Sequence, residues 1–403
     1  MTADTQSTDS IWKVFLIFLR LGMTSFGGPI AHLGYFREEF VLKRRWLSER
    51  SYADLVALCQ FLPGPASSQV GIALGLARRG YTGALAAWAG FTLPSALILV
   101  VFALSISSQY ADIPGGALHG LKVVAVAVVA QAVWGMARTL CRGIKELVIM
   151  LAATCIALLI PSSIGQLVTI VMAGLFGLLL FKPSESNEHE PLPIRISHQA
   201  GVIFISLFFG LLLGLPILAD LISNQTLYDL NAFYRSGALV FGGGHVVLPL
   251  LQASVVPQGL VSNDTFLAGY GAAQAVPGPL FTFSAFLGAS MNTAPTGWLG
   301  GFICLMAIFA PSFLLVIGAL PFWEHLRQNV KAQAALKGIN AAVVGILLAS
   351  LYQPVWTSAI NLPQDFGMAV VAFIALVYLK APPWLVVLGC ATTGWAASLI
   401  LDV

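Results

Sequence analysis

Phe18-Leu19-Arg20-Leu21-Gly22-Met23-Thr24-Ser25-Phe26-Gly27-Gly28 and Phe233-Tyr234-Arg235-Ser236-Gly237-Ala238-Leu239-Val240-Phe241-Gly242-Gly243 are two versions of one phrase in one chain. Each puts arginine and glycine where an uninterrupted membrane helix would carry leucine. Downstream, the first copy continues with Gln60-x-x-Pro63-Gly64-Pro65 and Pro94-Ser95, the second with Gln274-x-x-Pro277-Gly278-Pro279 and Pro311-Ser312, at offsets of 214 to 217 residues. A weaker match pairs Ala117-Leu118-His119-Gly120-Leu121-Lys122 with Ala335-Leu336-Lys337-Gly338-Ile339-Asn340. The spacing predicts a duplicated and fused unit: a first repeat over 1–181, a polar linker plus connecting helix over 182–228, and a second repeat over 229–403.

Composition sets the solvent. The chain is 58% hydrophobic and 9% charged, against about 25% charged in soluble domains. It reads as an all-α, multi-pass membrane protein. Nine apolar stretches approach the length of a bilayer span: 82–108, 115–137, 146–160, 163–181, 199–222, 297–322, 335–351, 364–379 and 383–401. The N-terminus lacks the basic segment that opens a signal peptide, so no cleavage is expected. The five cysteines have no C-x-x-C spacing, which speaks against a zinc site. A net charge of +3 argues for no nucleic-acid partner.

Loops rich in Lys and Arg stay cytoplasmic, and here the bias alternates between the copies. Segment 37–50 carries Arg37, Lys43, Arg44, Arg45 and Arg50, while its counterpart 251–264 carries none. Arg78 and Arg79 face a bare 291–297; conversely 323–337 holds Arg327, Lys331 and Lys337 against a bare 109–116. The copies therefore read as inverted-topology repeats, a recurrent plan of secondary transporters with the substrate near the midplane. The same parity makes each Pro-Gly-Pro the tip of a hairpin that enters and leaves on one side, and makes 11–36 and 229–250 non-crossing pieces broken at Phe-Gly-Gly. The alternative counts every apolar segment as a span, about thirteen, and puts Arg78 and Arg79 outside.

Helix starts after Pro65 and Pro279 would offer free N–H groups and a positive dipole end to an anion. Ser67, Ser68, Thr282 and Ser284 could add hydroxyl donors. Arginine in apolar sequence is costly and usually functional, so Arg20 and Arg235 become candidates to converge on one dianion; the bland reading is that they snorkel to the interface. The substrate-binding set is Arg20, Arg235, Gly27, Gly28, Gln60, Pro63, Gly64, Pro65, Ser67, Ser68, Gly242, Gly243, Gln274, Pro277, Gly278, Pro279 and Thr282. Simple kinks and close helix packing compete for the proline and glycine turns. His32 and His245, just beyond the glycine breaks but not aligned, are candidates for proton handling. Lys122, one turn beyond His119, reads most simply as an interfacial anchor.

Phe26-Gly27-Gly28-Pro29 with His32, Arg45-Trp46-Leu47, Cys59-Gln60-x-x-Pro63-Gly64-Pro65, Gly83 and Pro94-Ser95 resemble the chromate ion transporter family in its long, duplicated form. Phe241-Gly242-Gly243-Gly244-His245 with Pro249 and Gln274-x-x-Pro277-Gly278-Pro279 are similar to its C-terminal repeat. The resemblance covers nearly the whole chain. It implies efflux of chromate across the bacterial inner membrane, with resistance and with sulfate as the near-isosteric competitor, driven by the membrane potential alone or by exchange for protons as the family picture suggests; sulfate or another oxyanion stays open as the substrate. Homodimerisation is expected by analogy only.

No nucleotide-binding G-x-x-x-x-G-K-[ST], no G-x-S-x-G and no H-E-x-x-H occurs in the chain, so neither an ATP-driven pump nor an enzyme is expected, and no cofactor or metal. An anion channel remains an alternative to a carrier.

Overall fold

The computed structural model describes residues 10–107, 114–181, 194 and 196–401; nearly all of the expected polar linker, 182–197, lies outside them. The described residues contain helices and no strand. The first repeat contributes α1 Ile11–Thr24, α2 Gly28–Phe36, α3 Glu49–Phe61, α4 Ala66–Ser107, α5 Gly115–Leu140, α6 Ile144–Leu159 and α7 Ser163–Leu180. Helix α8, His198–Ile222, connects the repeats. The second repeat runs α9 Gln225–Ala238, α10 Val247–Val255, α11 Asn263–Ala273, α12 Phe283–Ala289, α13 Gly297–Ala319, α14 Trp323–Gln328, α15 Val330–Ser350, α16 Thr357–Ala359, α17 Pro363–Val377 and α18 Pro383–Leu401. Among the described residues, each of the nine apolar stretches is mainly helical, and six helices are long and apolar enough to cross a membrane.

Equivalent helices start the same way in both repeats. Ser48 accepts the Ser51 N–H and Ser262 the Thr265 N–H, so α3 and α11 each begin with a serine satisfying a first-turn donor. Both then stop at Pro-Gly-Pro, because proline lacks the N–H a helix needs and clashes with the preceding turn. In the first repeat the chain continues as α4, whose backbone leaves helical geometry at Arg79 and Gly80. It is two helices, 66–78 and 81–107, folded back so tightly that a Cβ on Gly75 would overlap the Gly83 carbonyl oxygen, and the reverse. The second repeat has the same close approach between Gly288 and Gly300.

Segments 49–78 and 263–289 are thus helical hairpins tipped at Pro-Gly-Pro. Helix α3 has 13 residues, about 20 Å at 1.5 Å per residue, short of the roughly 30 Å bilayer core. The ends of each hairpin meet. The Arg78 guanidinium lies 4.8 Å from the Trp46 ring centroid, and Asn292 N–H donates to Leu260 O at 2.9 Å.

Packing joins the repeats by exchange. Helix α1 lies on α4 and, equivalently, α9 on α13. The long helix of each repeat is then clasped by the terminal pair of the other: α5 by α17 and α18, α15 by α6 and α7. Helix α8 packs on α9 and α13 and leaves most of its surface uncovered, only 11% of its apolar window being buried.

Candidate functional site

The two repeated motifs meet at one crossing. Helix α1 ends at Thr24 and α9 at Ala238, so the carbonyls just beyond, at Ser25 and Val240, have no helical donor. In Pro63-Gly64-Pro65 and Pro277-Gly278-Pro279 only the central glycine owns an N–H. Gly64 N–H donates to Val240 O at 2.7 Å and Gly278 N–H to Ser25 O at 3.0 Å. Each repeat's Pro-Gly-Pro therefore closes the other repeat's Phe-Gly-Gly break. The glycines hold φ of 126° and 104°, a region side-chain-bearing residues avoid.

The Pro-Ser pairs complete the exchange. A Cβ on Gly278 would come within 2.9 Å of Ser95 Oγ, and one on Gly64 within 2.9 Å of Ser312 Oγ and 2.6 Å of Gln69 Nε2. Pro29 of the first break touches Gly244 of the second, its Cγ being 3.2 Å from a Cβ built there.

Around this crossing buried polar atoms accumulate without partners. Ser25 Oγ, Ser68 Oγ, Gln69 Oε1, Thr92 Oγ1, Gln274 Nε2 and Ser312 Oγ are buried and make no hydrogen bond. Buried polar groups are partnered in the great majority of cases, and leaving one bare costs about 1–3 kcal/mol. The hydroxyls of Ser25, Ser68, Thr92 and Ser312 and the Gln274 amide can donate, which suits the oxygens of an oxyanion, whereas Gln69 Oε1 is an acceptor whose own Nε2 donates to Pro63 O at 2.7 Å. Four of the six, on Ser25, Gln69, Thr92 and Ser312, lie outside the set read from the sequence. The repetition of Pro-Ser could have singled out Ser312.

Several expected residues are placed differently. Thr282 Oγ1 donates to Pro279 O at 2.8 Å and Ser284 Oγ to Phe281 O at 2.7 Å, so both hydroxyl hydrogens are used by the backbone. The chain after Pro279 opens as a short 3-10 turn, Leu280–Thr282, before α12. Gln60 is exposed, whereas Gln274 is half-buried. Gly27 and Gly242 are exposed and Gly28 and Gly243 half-buried, all four with positive φ.

The two arginines part company. Arg20 Nη2 sits 2.6 Å from Glu39 Oε2, with its own side chain 57% exposed and that of Glu39 5%. Glu39 also takes Arg44 Nε at 2.7 Å. Arg235, in the last turn of α9, is half-buried and has no hydrogen-bond or ion-pair partner among the described residues. The positions equivalent to Glu39 are Ala253 and Ser254, so the second repeat has no acid to offer.

Both histidines brace the hairpin of their own repeat. His32 is buried, with Nε2 3.2 Å from Ser25 O and Nδ1 3.4 Å from Ser67 Oγ. The Nε2 hydrogen therefore points at the carbonyl that also receives Gly278. His245 Nδ1 is 2.8 Å from Tyr270 Oη in α11. One ion pair ties each hairpin to the opposite repeat: Asp54 Oδ1 lies 3.8 Å from Arg327 Nη1, and Asp264 Oδ1 lies 3.1 Å from Lys122 Nζ. Among the described residues no group of three or more His, Cys, Asp or Glu is placed to hold a metal ion.

Comparison with known proteins agrees with this two-part architecture. The model of the chromate transporter family matches residues 12–178 and again 230–395. An uncharacterised transporter of Methanocaldococcus jannaschii is 27% identical over 350 residues, covering 86% of this chain and 85% of that protein. A chromate transport protein of Pseudomonas aeruginosa is 25% identical over 95% of this chain and 91% of its own length. A probable chromate transport protein of Synechococcus elongatus is 26% identical over 96% and 95%. No solved structure matches. With two matched repeats, membrane-length helices and a reciprocal crossing between them, the chain belongs to the chromate transporter family.

Proposed function

We propose that this protein exports chromate, with sulfate as the competing near-isostere, across a bacterial inner membrane and so confers chromate resistance. The observation that carries the reading is the crossing itself: two helix breaks, each closed by a single N–H from the other repeat, ringed by buried polar side chains without partners. A tetrahedral dianion would supply acceptors there. The chromate transport proteins similar in sequence along nearly their whole length support the choice of anion.

Inverted topology is part of the proposal. The exchange of partners, α5 with α17 and α18 but α15 with α6 and α7, is what a pseudo-twofold relation between repeats produces. The alternating Lys and Arg bias would set that axis in the membrane plane. Hairpins too short to cross, with both ends together, support re-entry from one side. Broken backbone at such depth is tolerated where protein buries it or a wet cavity lines it.

In this reading Gly64 and Gly278 hold the seat open, Ser25, Ser68, Thr92, Gln274 and Ser312 face the anion, Gln69 braces Pro63, and Arg235 supplies the counter-charge. Arg20 positions the first break through Glu39. A dianion leaving a cell at about 100 mV, negative inside, gains roughly 4–5 kcal/mol. That drive needs no nucleotide, and a proton gradient would add to it.

The test is uptake of radiolabelled chromate into inverted membrane vesicles, with sulfate added and with the potential or pH gradient collapsed separately. Saturable uptake blocked by sulfate is expected; absence of uptake under every gradient overturns the reading.

A further inference from the structure

We propose that the coupling proton of this transporter binds at His119, held by Asp365, across the joint between repeats; the inference rests on the transporter reading above. His119 lies on α5 of the first repeat and Asp365 in the first turn of α17 of the second. His119 Nε2 and Asp365 Oδ1 are 2.8 Å apart. The other carboxylate oxygen accepts Asn361 N–H at 3.0 Å and Leu362 N–H at 2.9 Å. With backbone donors already on the carboxylate, the imidazole hydrogen sits on Nε2, and Nδ1 is the ring's open position.

Access distinguishes this histidine from the two near the breaks. His119 and Asp365 line a cavity of about 430 Å³ with Gly115, Gly116, Gln364 and Ser398, and the His119 side chain is 29% exposed. His32 is 1% exposed with both ring nitrogens on neutral partners, and His245 faces the Tyr270 hydroxyl. Neither has a carboxylate to balance an added charge. At His119 an aqueous proton entering at Nδ1 turns a neutral imidazole–carboxylate hydrogen bond into an imidazolium–carboxylate pair, so the charge gained is countered on the spot.

The charged or titratable groups on the elements packed against α5 are few. They are Asp365 on α17, Asp264 and Tyr270 on α11, Cys390 on α18, Lys331 and Lys337 on α15, and Tyr352 in the turn after α15. On α5 itself stand Lys122 and Arg138. Lys122 is committed to Asp264 and Tyr270 to His245, which leaves Asp365 as the carboxylate bonded to His119.

A route from this pair to the crossing is built into α5. One residue past Gly120, the Leu121 carbonyl presses on the backbone of Gly271 in α11, where any Cβ would overlap it. One turn beyond His119, Lys122 grips Asp264 at the start of the same helix. Helix α11 leads into Gln274 and Pro277-Gly278-Pro279, whose glycine closes the break at Ser25. Strengthening or weakening the α5–α17 contact therefore acts on the hairpin of the second repeat through touching backbone. The equivalent of His119 in the other repeat is Lys337, not a histidine, so this imidazole–carboxylate pair is not repeated there.

The full chain reconstituted in liposomes tests this, with radiolabelled chromate and a lumenal pH dye read together. We expect an imposed pH gradient to stimulate wild-type transport at least fivefold and chromate flux to move protons. His119→Gln should keep potential-driven chromate flux within about twofold while losing both the stimulation and the proton movement. Asp365→Asn should do the same, and the double variant should lose nothing more, because the pair acts as a unit. Retention of the wild-type gradient response in His119→Gln overturns the proposal. Should His119→Gln be inactive throughout, His119→Lys decides: pH-independent transport supports the assignment, whereas a wild-type response, or loss of potential-driven flux in this variant too, overturns it. Absence of chromate flux in the wild-type protein instead removes the transporter reading itself.

Discussion

The two halves share their motifs and differ in what surrounds them. In the first repeat Arg20 is held by Glu39, which reaches it from the segment after α2 and is itself shared with Arg44. In the second repeat the equivalent Arg235 has no such partner among the described residues, because Ala253 or Ser254 stands where the acid would be. The Pro-Ser serines differ likewise. Ser95 Oγ donates to Thr92 O at 3.0 Å, while Ser312 Oγ is buried and bare. Duplication supplied two of each, and at these two equivalent pairs, Arg20 with Arg235 and Ser95 with Ser312, the first copy is committed to structure while the second is free among the described residues. At these two pairs the second copy's member is the one available to a ligand.

The comparison can be broken most sharply where the copies are still alike. Gly64→Ala and Gly278→Ala each force a side chain into positive φ and against a serine hydroxyl; each should lower stability by about 2–4 kcal/mol and abolish chromate uptake, measured by thermal unfolding and vesicle assay. Equal loss at both positions is expected, since each closes the other's break; a tolerant Gly278→Ala would deny the reciprocity.

The next largest effect separates the arginines. Arg235→Gln should weaken chromate binding by about 2–3 kcal/mol, roughly 30- to 150-fold in the concentration for half-maximal uptake, with unfolding temperature unchanged. Arg20→Gln should change transport less than about threefold. It should lower stability by about 1 kcal/mol, because the exposed guanidinium is screened and Glu39 keeps Arg44. Glu39→Gln, which strips both arginines of their shared acid, should destabilise more than Arg20→Gln. The reverse ranking in the uptake assay would mean that the paired arginine is the one that meets the anion.

The smallest contrast is between the serines. Ser312→Ala removes a hydroxyl that satisfies nothing in the fold, so stability should hold or rise while the half-saturating chromate concentration increases about 3- to 10-fold. Ser95→Ala should cost about 1 kcal/mol of stability and leave that concentration nearly unchanged. Thermal melts and uptake curves on the two variants check both halves of the claim.

Much of the architecture was legible in the chain. Apolar length marked nine helices and Pro-Gly-Pro marked where the hairpins turn, because each of these signals acts over a short run of backbone; the serine caps at Ser48 and Ser262, equally local, went unread. The site was legible in part. The glycines and prolines of the breaks were visible as violations of helical sequence, but the state of each polar side chain was not. Thr282 and Ser67 carry hydroxyls that look like donors and are engaged with Pro279 O and His32. Lys122 resembles an interfacial anchor and instead bonds Asp264 across 142 residues.

By itself the sequence determined that this is a membrane protein of two fused helical repeats, with breaks at Phe-Gly-Gly and Pro-Gly-Pro, since burying so much apolar surface and losing helix hydrogen bonds at proline are local, composition-level constraints. Only the tertiary structure decided that each break is closed by the other repeat, that Arg20 is committed to Glu39, and that His119 faces Asp365. Those outcomes depend on which groups distant in the chain arrive within hydrogen-bond reach, and motif spacing along one chain carries no information about the partner that the opposite repeat will bring.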